Sequence, residues 1–570
     1  MGETMNRMRW AVILQGILLV SCLSKGQTLP SSVTKQVDKV FEKWDKPGSP
    51  GCALGIYKDG QIVYKRGYGM ADLNDDVPIT PATVFHVASM SKQFTAASIV
   101  LLAQQGKLSL DDDVRKYIPE LPDFGERITI RHLVHHTSGL RDQWNLLELA
   151  GWRYSLDLIT DDDVMSVMTR QRDLNFKPGE KHVYCNTGYT LMGLIVKRVS
   201  GMSLREFTTK SIFEPLGMTH THFRDDHAEV IKHDALGYEQ EGKDKPFRMS
   251  LTNFDTVGAT SLHTTVEDLQ LWDENFYHPR VGGLAFLQQM LERGKLNSGE
   301  QLDYAFGLVA GKYKGLPTVD HGGADAGYRS DLIRFPEQHF SAAVLCNSAE
   351  TNPSRLARQV ADIVLAKDLK PADATPTKEP AKNTVATLTV EQMAAIAGLY
   401  WNREDDDFER VQVKDGKLQI ELGGEFRGLK PAGEAHFHVA DVPWGDDVDI
   451  HFVGATAEKP RRLEQSFGGG KPNIFESATA YTPTSAELAE YVGAYVSEEI
   501  DPVYRMVLQD GNLTLTRLKS KPDTLHPAVR DVFTGEIGTV RFTRDANQHI
   551  SGFILDAGRI QNFHFSRKTN

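Results

Sequence analysis

In "FHVASMSKQFTAASIVLLAQQGKL" (85–108), Ser89 precedes Lys92 by three residues, a spacing that on a helix puts both side chains on one face. A serine hydroxyl becomes a nucleophile once a neighbouring base removes its proton. Lysine can be that base when desolvation or a second cation lowers its pKa towards neutrality. A serine in the first helical turn also points its own backbone N–H towards solvent, where the helix dipole favours negative charge; that is half of an oxyanion hole. Ser91 adjoins Lys92, but adjacent helical residues diverge, so Ser89 is the better candidate. Further on, in "KPGEKHVYCNTGY" (177–189), one residue separates Tyr184 from Asn186. Extended backbone turns both to one side and Cys185 to the other. A tyrosine beside a lysine could relay a proton to a leaving group, and an asparagine amide could hold a substrate amide or carbonyl. Third, His321-Gly322-Gly323 leads into Ala324. Glycine lets a substrate approach a strand backbone closely, and the Ala324 N–H could be the second oxyanion donor. Taken singly, each element also describes an exposed turn, a helix cap or a loop histidine.

The elements that must position these residues are legible in outline. "CALGIYKDGQIVYKRGYG" (52–69) reads as two strands about a turn at Asp59-Gly60. Phe94, Ala97 and Leu101 recur at helical spacing, with Gly106 placed to end that helix. From 110 to 290 the pattern is mostly helical, and strand-like runs return at "YAFGLVAG" (304–311), "LIRFP" (332–336) and "SAAVLCN" (341–347). Strands at both ends of a helical middle imply an α/β domain, 27–369, in which an antiparallel sheet assembled from distant parts of the chain is flanked by helices and carries a helical lobe. "KPADATPTKEPAKNTVAT" (370–387) has the composition of a linker, placed here at 370–388. Beyond it lies an internal repeat: Gly398/Gly493, Tyr400/Tyr495, Asp415/Asp510, Gly416/Gly511 and Leu418/Leu513 all stand 95 positions apart. Each copy alternates apolar and polar residues around Asp-Gly turns, which implies two small antiparallel β-barrels, 389–482 and 483–570.

The chain of 570 residues, 40% hydrophobic and 25% charged, is long enough for several domains. Its net charge of −12 argues against a nucleic-acid partner. Arg7 and Arg9 precede the apolar run "WAVILQGILLV" (10–20), too short to span a bilayer and suited to a signal-peptide core, so export is expected and no membrane helix beyond this leader. Cleavage before Gln27 competes with a lipobox-like "LVSC" that would leave Cys22 lipidated. The other cysteines, Cys52, Cys185 and Cys346, are odd in number and lack metal spacing, and are expected to be buried small hydrophobes rather than a disulfide framework. No cofactor or metal is expected. G-x-S-x-G and H-E-x-x-H, signatures of other hydrolase mechanisms, are absent.

Together and in this order, the three elements resemble the S-x-x-K, Y-x-N and K/H-[TSG]-G motifs of the serine β-lactamase and penicillin-binding-protein superfamily. They are more closely similar to its class C-related esterases and D-aminopeptidases. "ITIRHLVHHTSGL" (128–140), "FEPLGM" (213–218), "GATSLHTTVEDLQLW" (258–272) and "HGGADAGYRS" (321–330) extend the likeness over 33–366, and the tandem barrels resemble the layout of bacterial D-aminopeptidases. The resemblance implies Ser89 as acylated nucleophile, Lys92 as its base and Tyr184 as proton shuttle. Asn186 would orient substrate, His321 and Gly323 would form the wall strand, and the N–H groups of Ser89 and Ala324 the oxyanion hole. "HTSGL" would be structural. A loop from a C-terminal barrel reaches the active site in the resembled D-aminopeptidases, and "FGGGKPN" (467–473) is the candidate here. His321 stands where β-lactamases carry lysine. A mostly neutral imidazole suits a substrate without a carboxylate at that spot, an ester or the amide beside a free amine, and the acidic surface favours a cationic amine. The expected function is an exported serine hydrolase of esters, or of amides and peptides of small or D-amino acids. The alternatives are a penicillin-binding protein or β-lactamase, and a non-catalytic peptide- or lipid-binding scaffold.

Overall fold

The computed structural model describes residues 28–568 except 243–244, 371–387, 405–406, 423–424, 434, 440–447, 455–459 and 468–470. The leader with Cys22, and nearly all of the expected linker, lie outside the described residues.

Strands β1 (Cys52–Lys58) and β2 (Gln61–Tyr68) form the expected hairpin, with Asp59 and Gly60 both at positive φ in its turn. Two such residues give a turn whose twist matches that of the strands. Four later strands, β3 (Val309–Tyr313), β4 (Leu316–Asp325), β5 (Tyr328–Phe335) and β6 (Phe340–Cys346), complete a sheet of order β3-β4-β5-β6-β1-β2, antiparallel throughout. The helices that matter here are α1 (Ser31–Phe41), α2 (Lys92–Gln104), α3 (Gln143–Leu149), α4 (Asn186–Ser200) and α5 (Pro353–Val364). Side-chain alternation sorts the central strands onto two cores. Leu54, Ile56 and Val344 pack with Phe41 of α1 and Val360 of α5. Ala53, Tyr57 and Leu345 face α2 and the helical lobe. With both faces covered, β6 is buried along its whole length, which is why "FSAAVLC" is almost entirely apolar.

The cysteine expectation is corrected. Cys52 and Cys346 stand opposite each other in the β1–β6 register and form a disulfide; among the described residues only Cys185 is a free thiol, and it is buried. The partners are 294 residues apart, and an odd count of scattered cysteines gives no sign of such a bond. Replacing both by alanine should cost about 2–4 kcal/mol. The check is thermal unfolding of the variant beside the wild type, with and without reductant; equal midpoints throughout would contradict it.

The first repeat forms a nine-stranded antiparallel sheet whose end strands, Glu425–Gly428 and Lys430–Gly433, follow each other in the chain; the second is a closed eight-stranded barrel. The shared plan extends to the entrances. Thr389 with Gln392 and Thr484 with Glu487 form capping boxes on short helices, and the Tyr400 and Tyr495 hydroxyls donate to the carbonyls of Ile396 and Tyr491. The copies dock differently. The first has a core of its own, whereas the second shares one continuous apolar core with the helical lobe. Across that junction the Tyr504 hydroxyl donates to the Leu149 carbonyl at 2.9 Å, and Arg141 pairs with Glu499 at 2.6 Å with both side chains buried. Among the described residues no helix is long and apolar enough to cross a membrane.

Candidate active site

Ser89 lies in a 3-10 turn (Ala88–Ser91) that runs straight into α2. Ala88 has φ of 48°, a left-handed conformation that a non-glycine residue keeps only when its surroundings hold it. The clamps are visible: Ser330 Oγ donates to the Val87 carbonyl, Ser91 Oγ donates to the Ala88 carbonyl, and Leu262 N donates back to Ser91 Oγ. Ser91 is therefore fully buried and spent on structure, while Ser89 faces the cleft.

Helix α2 is buried on all sides for most of its length, so Lys92 is 0% exposed. Its Nζ donates to Ser89 Oγ at 3.0 Å, Asn186 Oδ1 at 2.9 Å and the Ala259 carbonyl at 2.7 Å. Burial, aided by the nearby Arg559 charge, pulls its pKa down to about 7. At neutral pH a large share of Lys92 is thus unprotonated beside the serine, the condition general-base catalysis requires.

Tyr184 and Asn186 lie where α4 begins, Cys185 preceding it in extended backbone. Both line the cleft, and Cys185 points inwards, with Sγ donating to the Leu140 carbonyl and its pKa pushed up to about 12 by burial. Tyr184 borders the same cleft as Ser89, and burial raises its pKa, so it keeps its proton. Asn186 is fixed by Asp142: its N and Nδ2 both donate to Asp142 Oδ2, at 2.7 and 2.9 Å. The "HTSGL" segment packs beneath. The Gly179 and Val183 N–H groups donate to the carbonyls of Thr137 and His136, and a Cβ on Gly139 would fall 2.0 Å from the Phe176 carbonyl oxygen. That stretch sets the approach of Tyr184 to the site.

The opposite wall is β4. His321 lies within it, hydrogen-bonded through Nε2 to the Tyr304 hydroxyl at 3.1 Å. Burial and the Lys92 charge lower its pKa to about 4, so it is neutral, as the sequence reading expects. A Cβ on Gly323 would sit 2.3 Å from the Val87 carbonyl oxygen and 2.9 Å from Ser89 N, so only glycine lets β4 pass this close to the nucleophile turn. Ala324 follows, exposed to the cleft. All seven expected residues therefore converge: six line one cleft of about 640 Å³, and Lys92 lies beneath Ser89. The space can hold an acyl group beside a hydroxyl, a base and a phenol, with Ser89 and Ala324 both on its lining. Among the described residues Asp226, His227 and Asp255 bring metal-ligand atoms within 4.8 Å of one another, but at the surface and outside this cleft.

Three contributors escape sequence reasoning. Asp142 follows "HTSGL" by two positions and also caps α3 through Trp144 N, a detectable cap signal. Ser330 belongs to the quoted "HGGADAGYRS" but carries no separate mark. Arg559 comes from the second barrel, at the turn between Ile550–Ala557 and Ile560–Arg567. Its guanidinium lies 4.9 Å from the Tyr184 ring centre and 3.6 Å from Asp142. The turn is pinned by Arg559 N to Asn145 Oδ1, Asn175 Nδ2 to the Arg559 carbonyl and Gln561 N to Asn175 Oδ1. Of the expected loop "FGGGKPN", Gly468–Gly470 lie outside the described residues; among the described residues the repeats reach the cleft through Arg559 of the 557–560 turn.

The comparisons with known proteins agree with this geometry. The Beta-lactamase family profile matches residues 37–367, and the chain belongs to that family. It is accordingly a serine hydrolase of the β-lactamase and penicillin-binding-protein class. It is 30% identical to penicillin-binding protein 4* of Bacillus subtilis (strain 168) over 75% of this chain and 95% of that one. It is 29% identical to a D-aminopeptidase of Gluconobacter oxydans (strain 621H) over 80% of this chain and 81% of that one. Its fold is similar to that of an octameric penicillin-binding protein homologue from Pyrococcus abyssi, with a TM-score of 0.54 and 23% identity over 85% of this chain and 97% of that one.

Proposed function

We propose that this chain is an exported hydrolase that works through an acyl-enzyme at Ser89, on esters or on amides and peptides of small or D-amino acids. The observation that carries the reading is the fully buried Lys92 ammonium group on Ser89 Oγ, with a pKa near 7. Neutral Lys92 takes the Ser89 proton as Oγ attacks the substrate carbonyl carbon. The N–H groups of Ser89 and Ala324 receive the oxyanion, and Asn186 holds the substrate's amide or carbonyl. Tyr184, still protonated, gives its proton to the departing nitrogen or oxygen and recovers one from Lys92. Water then enters by the same relay and cleaves the acyl-enzyme. The similarity to a D-aminopeptidase supports amide substrates.

Export is supported by the leader-like 1–26 segment and by the Cys52–Cys346 bond, which suits an oxidising compartment. The mass of the mature N-terminus separates cleavage before Gln27 from lipidation of Cys22.

A second reading, action on peptidoglycan or β-lactams, draws on the similarity to penicillin-binding protein 4*. A panel of p-nitrophenyl esters, D- and L-aminoacyl anilides and nitrocefin separates the two. Turnover of esters or D-aminoacyl anilides supports the first. Strong nitrocefin turnover with neither of those reverses the order.

A further inference from the structure

The Arg559 guanidinium stands in the cleft on the same side as Tyr184, with its side chain 45% exposed. Its carboxylate neighbour across the domain junction, Asp142, is already committed: Oδ2 accepts from Asn186 N and Nδ2, and Oδ1 accepts from Trp144 N. At 3.6 Å, Asp142 balances the Arg559 charge without consuming the donors of its planar fork. The turn that carries Arg559 is tied on both sides of the residue to Asn145 and Asn175, so the cation is held in place rather than swung in from solvent. Gly558 is part of that fit, since a Cβ there would fall 2.7 Å from Asn145 Nδ2. Meanwhile the wall position where a lysine would bind a carboxylate holds a neutral His321. A cation thus reaches the cleft from the barrel, whereas position 321 supplies none.

We propose that Arg559 is a specificity-determining residue that binds a carboxylate on the substrate's leaving group, so that the second barrel completes the active site. The assignment to the leaving group rests on the catalytic reading above, in which Tyr184 protonates that group; Arg559 lies against the Tyr184 ring and therefore beside it. The substrate class narrows to acyl-amino acids or peptides cleaved next to a terminal carboxylate, and to esters of hydroxy acids. The local cation outweighs the overall negative charge of the chain, because a fixed fork in a partly desolvated cleft acts at hydrogen-bond range while net charge acts at a distance.

The test compares the phenylacetyl esters of 3-hydroxybenzoate and 3-hydroxybenzamide, which share shape and reactivity but differ in charge, on the full-length protein. The wild type should favour the carboxylate ester in kcat/KM by about tenfold or more, the worth of one hydrogen-bonded charge. Arg559→Gln should bring the ratio close to one, and Arg559→Lys should restore part of it. Circular dichroism of each variant confirms folding, and a ratio of two probes is insensitive to an equal loss on both. No preference in the wild type, or an unchanged ratio in Arg559→Gln, overturns the proposal while leaving Ser89 chemistry intact. Absence of any fluorophosphonate adduct on Ser89 would remove the catalytic reading and this proposal with it.

Discussion

Replacing Lys92 by glutamine should lower kcat/KM by about 10²–10⁴-fold, the usual worth of a positioned general base. Glutamine fills similar space and keeps a donor towards the Ala259 carbonyl, so loss of folding is not the expected cause. The wild-type pH profile carries the same information. In the proposed mechanism Lys92 works as the neutral amine, and burial brings its pKa down to about 7. Activity should therefore be low on the acid side, rise as pH climbs through 7 and level off above it. A lysine with an ordinary pKa would leave activity climbing towards pH 10. A rise through 7 that survives in Lys92→Gln would assign the titration to another group.

The second large effect concerns the junction between barrel and catalytic domain. Arg141 and Glu499 are both buried, and the Arg141 guanidinium also donates to the carbonyls of Gln561 and Asn562, just past the Arg559 turn. Glu499→Ala leaves a buried charge without its partner, which should cost about 3–5 kcal/mol. The loss should fall on docking of the barrel, and hydrogen exchange across 557–562 is the direct readout. The paired replacement Arg141→Met with Glu499→Leu removes both charges and should recover much of the protection. Unchanged exchange in Glu499→Ala would show that the shared apolar core alone holds the barrel.

How much of this was legible beforehand follows a physical pattern. Ser89 and Lys92 could be paired from sequence because helical spacing is local geometry, and Tyr184 with Asn186 because a strand-like approach alternates. The sheet assembled from both ends of its domain was legible from apolar runs, and the repeat from a fixed offset of 95. What failed depended on contacts between distant segments. The Cys52–Cys346 pairing exists only once β1 lies against β6. Asp142 acts through Asn186, 44 positions on. The glycine-rich candidate loop, 467–473, has Gly468–Gly470 outside the described residues, and glycine reports backbone freedom rather than which loop reaches the cleft. The segment found there, 557–560, is short and fixed by side-chain amides of the catalytic domain. Arg559, 238 residues beyond His321, reaches the cleft only because the second barrel docks there, which no local pattern announces.

The central claim is that Ser89 is the acylated nucleophile. Intact-mass measurement after incubation with a fluorophosphonate tests it most directly. One adduct on the wild type, mapped to Ser89 and absent from Ser89→Ala, is the predicted result. An unmodified wild type, or a Ser89→Ala variant labelled to the same extent, would contradict it.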